Sequence, residues 1–295
     1  MARNSMRIKF VALLICAASI FGGNISLGAE LGGLPPGFQS MKWFHKETPN
    51  FEINSIDKKV ADEVADRVEK LKTWINHRWG LKDIPFKYKC LILSVPDQPT
   101  YKKWFGADFY IPNFSSNVVD LDNKPREVFT LRLVGNGDYL TNSLPDQVGR
   151  LCLLNYEKTY GVKFGEWAYV GMSALNTDVE SIKKMFGVLD PNANYSCREV
   201  FDFNSPEAVT PELRAKCALV CLLLRKQTNG AENYKKFLEI YSSTSDSDQA
   251  LNAFGFTSSV HFDQSYNRFA HDFLTALKSK KVSNLSLTWL LPEGK

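Results

Sequence analysis

The chain has 295 residues, 44% of them hydrophobic, 23% charged and 13% aromatic; that is globular composition, and it excludes a disordered tail, a collagen-like repeat and a polytopic membrane protein. Formal net charge is +4, but Arg3, Arg7 and Lys9 lie in a segment read below as a removable leader, which leaves 33 basic against 32 acidic residues. A balance so near neutral offers no clustered basic footprint for nucleic acid or an anionic membrane.

Residues 1–29 open with basic residues, run through the apolar stretch Phe10 to Gly23 and finish on small residues around Ser26, Gly28 and Ala29. That order is a secretory signal peptide. The apolar run is shorter than the roughly 20 residues a spanning helix needs, so an uncleaved anchor is the lesser alternative. Cys16 sits behind Ile15, where a lipidated cysteine would follow a small residue. The expectation is an exported protein, periplasmic or extracellular, soluble and without a membrane span once the leader is removed. Cys90, Cys152, Cys197, Cys217 and Cys221 then meet an oxidising compartment. Five is odd, so at least one thiol is unpaired, and small buried hydrophobes are the simpler reading of most of them.

A Gly/Pro-containing entry over 30–42 precedes the strand Phe51 to Ser55, where apolar and polar residues alternate. Asp57 caps a helix whose apolar positions Val60, Val64, Val68, Leu71 and Ile75 recur at spacings of three and four, ending near Trp79 and Gly80. Strands follow at Tyr88 to Val95 and Arg126 to Val134, the latter with Phe129, Leu131 and Leu133 on one face. From Ser143 the pattern turns helical. Ser143 caps a helix with Pro145 in its first turn and Gly161 at its end; a second helix covers about 165–176. Thr210 and Pro211 open a third, apolar almost all round from Cys217 to Leu224, and helices over 231–241, 246–254 and 263–278 complete the chain, the last with Tyr266, Phe269, Phe273 and Leu277 as its buried stripe. The fold class is α+β: a sheet-containing lobe over 43–160 that ends in a helix of special interest, a helical lobe over 161–280, and a tail over 281–295.

Phosphate-binding glycine loops and serine nucleophile elbows are absent from the sequence. No two of His45, His77, His261 and His271 are three or four residues apart, which leaves no local histidine metal motif. The informative stretch is Ser143 to Leu175. Leu144-Pro145 and Trp167-Ala168-Tyr169-Val170-Gly171-Met172-Ser173-Ala174-Leu175 resemble the active-site frame of exported bacterial gluzincins, the peptidase MA-like family of thermolysin-type zinc peptidases. Asn50 to Ile53, Trp79-Gly80, Lys89-Cys90, Tyr101 before Phe105-Gly106, Ala218 to Leu224 and the last helix extend the likeness over most of 43–278.

The resemblance implies a zincin-like fold with a mixed N-terminal sheet and a mainly helical C-terminal lobe. It also implies that the chemical residues are gone. By position, the first zinc histidine is Asp146, the general-base glutamate is Gln147, the second histidine is Arg150 and the glutamate ligand is Val170. Side chains at i and i+4 of a helix share a face, so Asp146 and Arg150 stand where two ligands would stand. A guanidinium has no acceptor atom and repels a divalent ion, Val170 has no donor, and an amide cannot take a proton from water as a carboxylate does. The sequence therefore predicts no metal, no cofactor and no peptidase catalysis.

Asp146 and Arg150 are expected either to form a salt bridge across the vacant place or to serve as a capping acid and a solvated arginine. Glu157 and Glu166 nearby read as surface residues. By resemblance, the strand before the motif helix lines the cleft, which makes Phe129, Thr130, Leu131, Arg132 and Leu133 the candidate rail for an extended peptide. Three functions remain open: a pseudopeptidase with a peptide-binding cleft, a hydrolase using Asp146 with Glu166, and an envelope protein that binds partners through another surface.

Overall fold

In the computed structural model the described residues are 42–87, 89–95, 97, 99–100, 102, 116–119, 125–128, 130–134, 139–204, 209–227 and 229–279. They contain six strands and nine α-helices. The order is β1 (Phe44–Glu47), β2 (Phe51–Ser55), α1 (Lys58–Arg78), β3 (Cys90–Val95), β4 (Ser116–Val119), β5 (Pro125–Val128) and β6 (Thr130–Val134), then helices only. Those are α2 (Ser143–Tyr160), α3 (Glu166–Ala174), α4 (Val179–Phe186), α5 (Cys197–Phe201), α6 (Pro211–Lys226), α7 (Gly230–Thr244), α8 (Ser247–Leu251) with a 3₁₀ turn at Asn252–Phe254, and α9 (Ser259–Lys278). The α+β class follows. No helix among the described residues is long and apolar enough to cross a membrane.

Two compact units share this chain. One comprises the described residues up to Glu69 and those of Pro85–Leu140; the other comprises Lys70–Ile84 and the described residues from Thr141 onward. The sequence places the boundary near 160, after the motif helix. In the structure that helix belongs with the helical unit, where α2 meets α3 closely at Gly149.

In the first unit, β1 and β2 form an antiparallel hairpin, and β2 pairs in parallel with β3 after the α1 crossover. Among the described strands the order β1-β2-β3-β6 is a mixed sheet, with β6 parallel to β3 at one edge. β3 is buried along its whole length, as a central strand covered on both faces should be. Asp57 caps α1 as expected, its carboxylate accepting the Lys59 N–H at 2.8 Å. From the same helix Glu69 pins the hairpin turn, accepting from Thr48 Oγ1 at 2.6 Å and the Asn50 N–H at 2.7 Å.

The predicted strand Arg126 to Val134 is not one element. β5 pairs with β4 in a separate antiparallel ribbon, and β6 belongs to the main sheet. Phe129, between them, lies outside the described residues, as do the side chains of Thr130 to Leu133.

In the second unit α6 is the axle, with Ala215 to Leu224 all buried, as its all-round apolar pattern predicts. α3 crosses it closely at Gly171, where a Cβ would come within 2.5 Å of the Cys217 carbonyl oxygen. α2 meets α3 at Gly149, where a Cβ would lie 3.2 Å from Ser173 Cα and 2.4 Å from the Asn176 amide, which itself accepts the Trp79 indole N–H at 3.1 Å. Aromatic rings fill the far side: Trp167 packs edge-on against Phe201, Phe237 and Tyr241.

Several helix details differ from the sequence reading. α2 is capped by position at Asn142, with Ser143 already its first residue, and it ends at Gly161 with φ 68° as expected. α4 and α5 are additional helices, each capped by a side chain, Asp178 to the Ser181 N–H and Ser196 to the Arg198 N–H. The buried stripe of α9 is Phe262, Tyr266, Ala270 and Leu274, while Phe269, Phe273 and Leu277 are half-buried on its flank. The five described cysteines are all buried, and none of them is in a disulfide.

Candidate functional site

The motif helix α2 and its neighbour α3 lie in one unit, so the degenerate motif positions can be described together. Pro145 in the first turn costs no helical hydrogen bond, and Leu144, Val148 and Leu151 bury the opposite side of the cylinder. That rotation leaves Asp146 and Gln147 partly exposed. Arg150 is 5% exposed, so of the two readings the sequence leaves open, a salt bridge with Asp146 or a solvated arginine, the solvated one does not hold. Burial is the departure that matters here, since a guanidinium out of water needs a counter-charge.

Asp146 supplies part of that counter-charge, with Arg150 Nε 3.9 Å from its Oδ2. This is an ion pair too long for a hydrogen bond. The stronger partner of Asp146 comes from 68 residues further on: Arg214, in the first turn of α6, donates Nη2–H to Asp146 Oδ1 at 2.6 Å. The expected two-residue salt bridge is therefore a three-residue network in which one carboxylate serves two guanidinium groups. Burial lowers the Arg150 pKa, Asp146 and Glu166 act to restore it, and the neighbouring Arg214 lowers it further. Both arginines also act on the buried Cys217 thiol, whose pKa is nevertheless pushed up to about 12 by desolvation.

Glu157 and Glu166 are not surface residues. Both are half-buried, and in both desolvation raises the pKa. Arg150 opposes the rise at Glu166 while Glu157 adds to it. Glu157 accepts the Phe164 N–H and so closes the turn between α2 and α3, with Tyr169 beside it. Acids with these properties can hold or release a proton nearer neutrality than ordinary carboxylates.

The remaining motif position, Val170, is fully buried apolar core. Of the strand residues proposed as a peptide rail, Thr130 to Leu133 lie in the edge strand β6 of the other unit, and Phe129 lies outside the described residues. Among the described residues no three of His, Cys, Asp or Glu are placed to hold a metal ion. The residues at the motif do not fit zinc: a buried cation stands where a ligand would be, and the nearest acid is already bound to a second cation. No step is derived through a metal.

Sequence reasoning missed Arg214. Its one local signal is position, since a cation in the first turn of a helix opposes the helix dipole and needs a compensating acid. The residues on which the resemblance rests are explained by packing. Trp167 is the aromatic hub, Gly171 permits the α3–α6 contact, and Leu144, Met172, Ala174 and Leu175 are core. No protein-family model matches the chain, and no curated protein matches it.

Proposed function

We propose that the chain is an exported, zincin-like relative of the thermolysin-type peptidases that has lost catalysis and uses the edge strand β6 to dock an extended peptide. The observation that carries this reading is the buried Arg150, linked through Asp146 to Arg214, at helix positions where the resemblance puts zinc ligands. The mixed sheet followed by a helical unit supports the fold, and the edge position of β6 in the strand order supports the docking mode.

Strand addition works through main-chain N–H and C=O groups, so binding should depend on the peptide backbone more than on its sequence. A fluorescein-labelled decapeptide pool should bind the leaderless full-length protein and lose affinity when alternate amides are N-methylated. It should remain uncleaved with or without added zinc. Chelator-sensitive turnover, or binding indifferent to N-methylation, would defeat the proposal.

A second reading, a hydrolase working through Glu166, has one observation in its favour: burial holds Glu166 and Glu157 toward their protonated forms, at Glu166 against the opposing pull of Arg150. Its test is metal-independent turnover of the same peptides that disappears in Glu166→Gln.

A further inference from the structure

The Arg214 side chain makes a single hydrogen bond among the described residues, Nη2 to Asp146 Oδ1. A guanidinium carries five N–H donors in a planar fork that matches a carboxylate two bonds at a time. Here one donor is used, the other four have no partner among the described residues, and the side chain is 32% exposed. Behind it stands the guanidinium of Arg150, close enough for the two like charges to act on each other. Asp146 is shared between them, one hydrogen bond to Arg214 and one 3.9 Å ion pair to Arg150. Glu166 faces Arg150, with Glu157 beyond it.

We propose that Arg214, backed by Arg150, is a recognition point for a carboxylate ligand, which engages the guanidinium fork two bonds at a time in place of the single bond from Asp146. Carboxylate and phosphate oxygens match that fork, and a singly charged carboxylate suits a place where one guanidinium is exposed and the second, Arg150, is buried. On a side chain one-third exposed, the donors not used by Asp146 are the ones an incoming carboxylate would take. The ligand carboxylate is either a chain terminus or an acidic side chain, since both present the same two oxygens. The inference concerns the helical unit alone and does not rest on peptide addition to β6.

The test uses the full-length leaderless protein and follows the Arg Nε–Hε NMR signals, with that of Arg214 assigned by its loss in Arg214→Gln. Titration to about 50 mM, a range that captures millimolar affinity, is made with N-acetyl-dialanine, with its C-terminal amide, and with N-acetyl-aspartate amide, sodium chloride serving as the ionic-strength control. The Arg214 signal should shift saturably with the free acid and not with the dialanine amide. Comparison with the aspartate compound separates a chain terminus from an acidic side chain. Arg214→Gln should weaken binding at least about tenfold on backbone amide signals, and Arg214→Lys should weaken it nearly as much, because lysine keeps the charge but lacks the fork.

Asp146→Asn should tighten binding several-fold by removing the internal competitor; if that variant fails to fold, the Arg214 pair of variants carries the test. No shift of the Arg214 signal, an equal shift with the amide, or binding that survives Arg214→Gln would each overturn the proposal.

Discussion

Replacing Asp146 by alanine and Arg150 by methionine should have opposite consequences, although the two residues belong to the same ion pair. Asp146→Ala leaves Arg150, 5% exposed, and the adjacent Arg214 without the carboxylate between them. Removing one partner of a fully buried pair costs about 3–5 kcal/mol. Arg214 is one-third exposed and Glu166 still acts on Arg150, so the expected loss falls below that range, about 2–3 kcal/mol. Arg150→Met removes the buried cation itself, keeps most of the volume and leaves Asp146 bonded to Arg214. With Asp146 still bonded to Arg214 no charge is left buried alone, so the exchange should be neutral to stabilising.

Urea unfolding of the leaderless protein measures both, provided the slopes match wild type so that midpoints can be compared. The double variant should recover most of the Asp146→Ala loss, giving a coupling energy of about 1–2 kcal/mol. If Arg150→Met is the more destabilising of the two, or if the double variant is simply additive, the picture of a buried cation dependent on Asp146 is wrong.

Gly171→Ala should cost about 2–3 kcal/mol in the same assay, because its Cβ would press on the Cys217 carbonyl oxygen at 2.5 Å and Cys221 Sγ at 2.6 Å, and main chain cannot rotate away. For Glu157 and Glu166 the folded state raises the carboxyl pKa, so the stability they contribute is present below the ordinary carboxylate value and is lost as pH rises through the raised one. Glu166→Gln should therefore stabilise the protein at neutral pH and flatten its stability profile above the ordinary carboxylate range; a less stable variant at neutral pH would refute the assignment. The five buried thiols should resist a thiol reagent in the native protein and all react in denaturant, with unchanged mobility after reduction on a gel.

The elements legible in the sequence are those whose pattern is set by one dominant force. α1 shows its apolar period and Asp57 cap, α6 is apolar all round, and β3 is a short apolar run. Elements held by tertiary partners are harder to see. β1 is a half-exposed edge strand with little alternation, and α5 is a single capped turn and a half. The stripe of α9 shifted by one position because Phe269 and Phe273 find each other and Phe186 at the flank, while smaller Ala270 sits under the core. Lys72 shows the same limit, since it lies in the buried face of α1 only because Asp83 reaches its ammonium.

At the candidate site the local part was legible and the distant part was not. The i,i+4 spacing of Asp146 and Arg150 predicts a contact. Neither spacing nor composition reveals that Arg150 is buried or that Arg214 crosses 68 residues to take Asp146. Charge reading from sequence assigns Glu157 and Glu166 to solvent by default, and only the packing of the α2–α3 turn withdraws them from it.

Arg214 also changes what a reconstruction of the metal site would require. Restoring Asp146→His, Gln147→Glu, Arg150→His and Val170→Glu replaces the four lost groups, and by ligand count that suffices for zinc. It also removes the only acid that Arg214 bonds, leaving an uncompensated guanidinium beside two new imidazoles. A permanent cation there disfavours both the approach of a divalent ion and the positive charge that remains after ligation. A fivefold variant that adds Arg214→Ala should therefore bind zinc at least about tenfold more tightly than the fourfold one, as expected from about 1.4 kcal/mol of relieved repulsion. Competition with a chromophoric chelator, read alongside melting temperature with and without zinc, separates affinity from folding. Equal zinc affinity in the two variants would mean that Arg214 swings clear once Asp146 is gone. Its bond to that carboxylate would then be a convenience of packing and not a charge built into the place where the ion would stand.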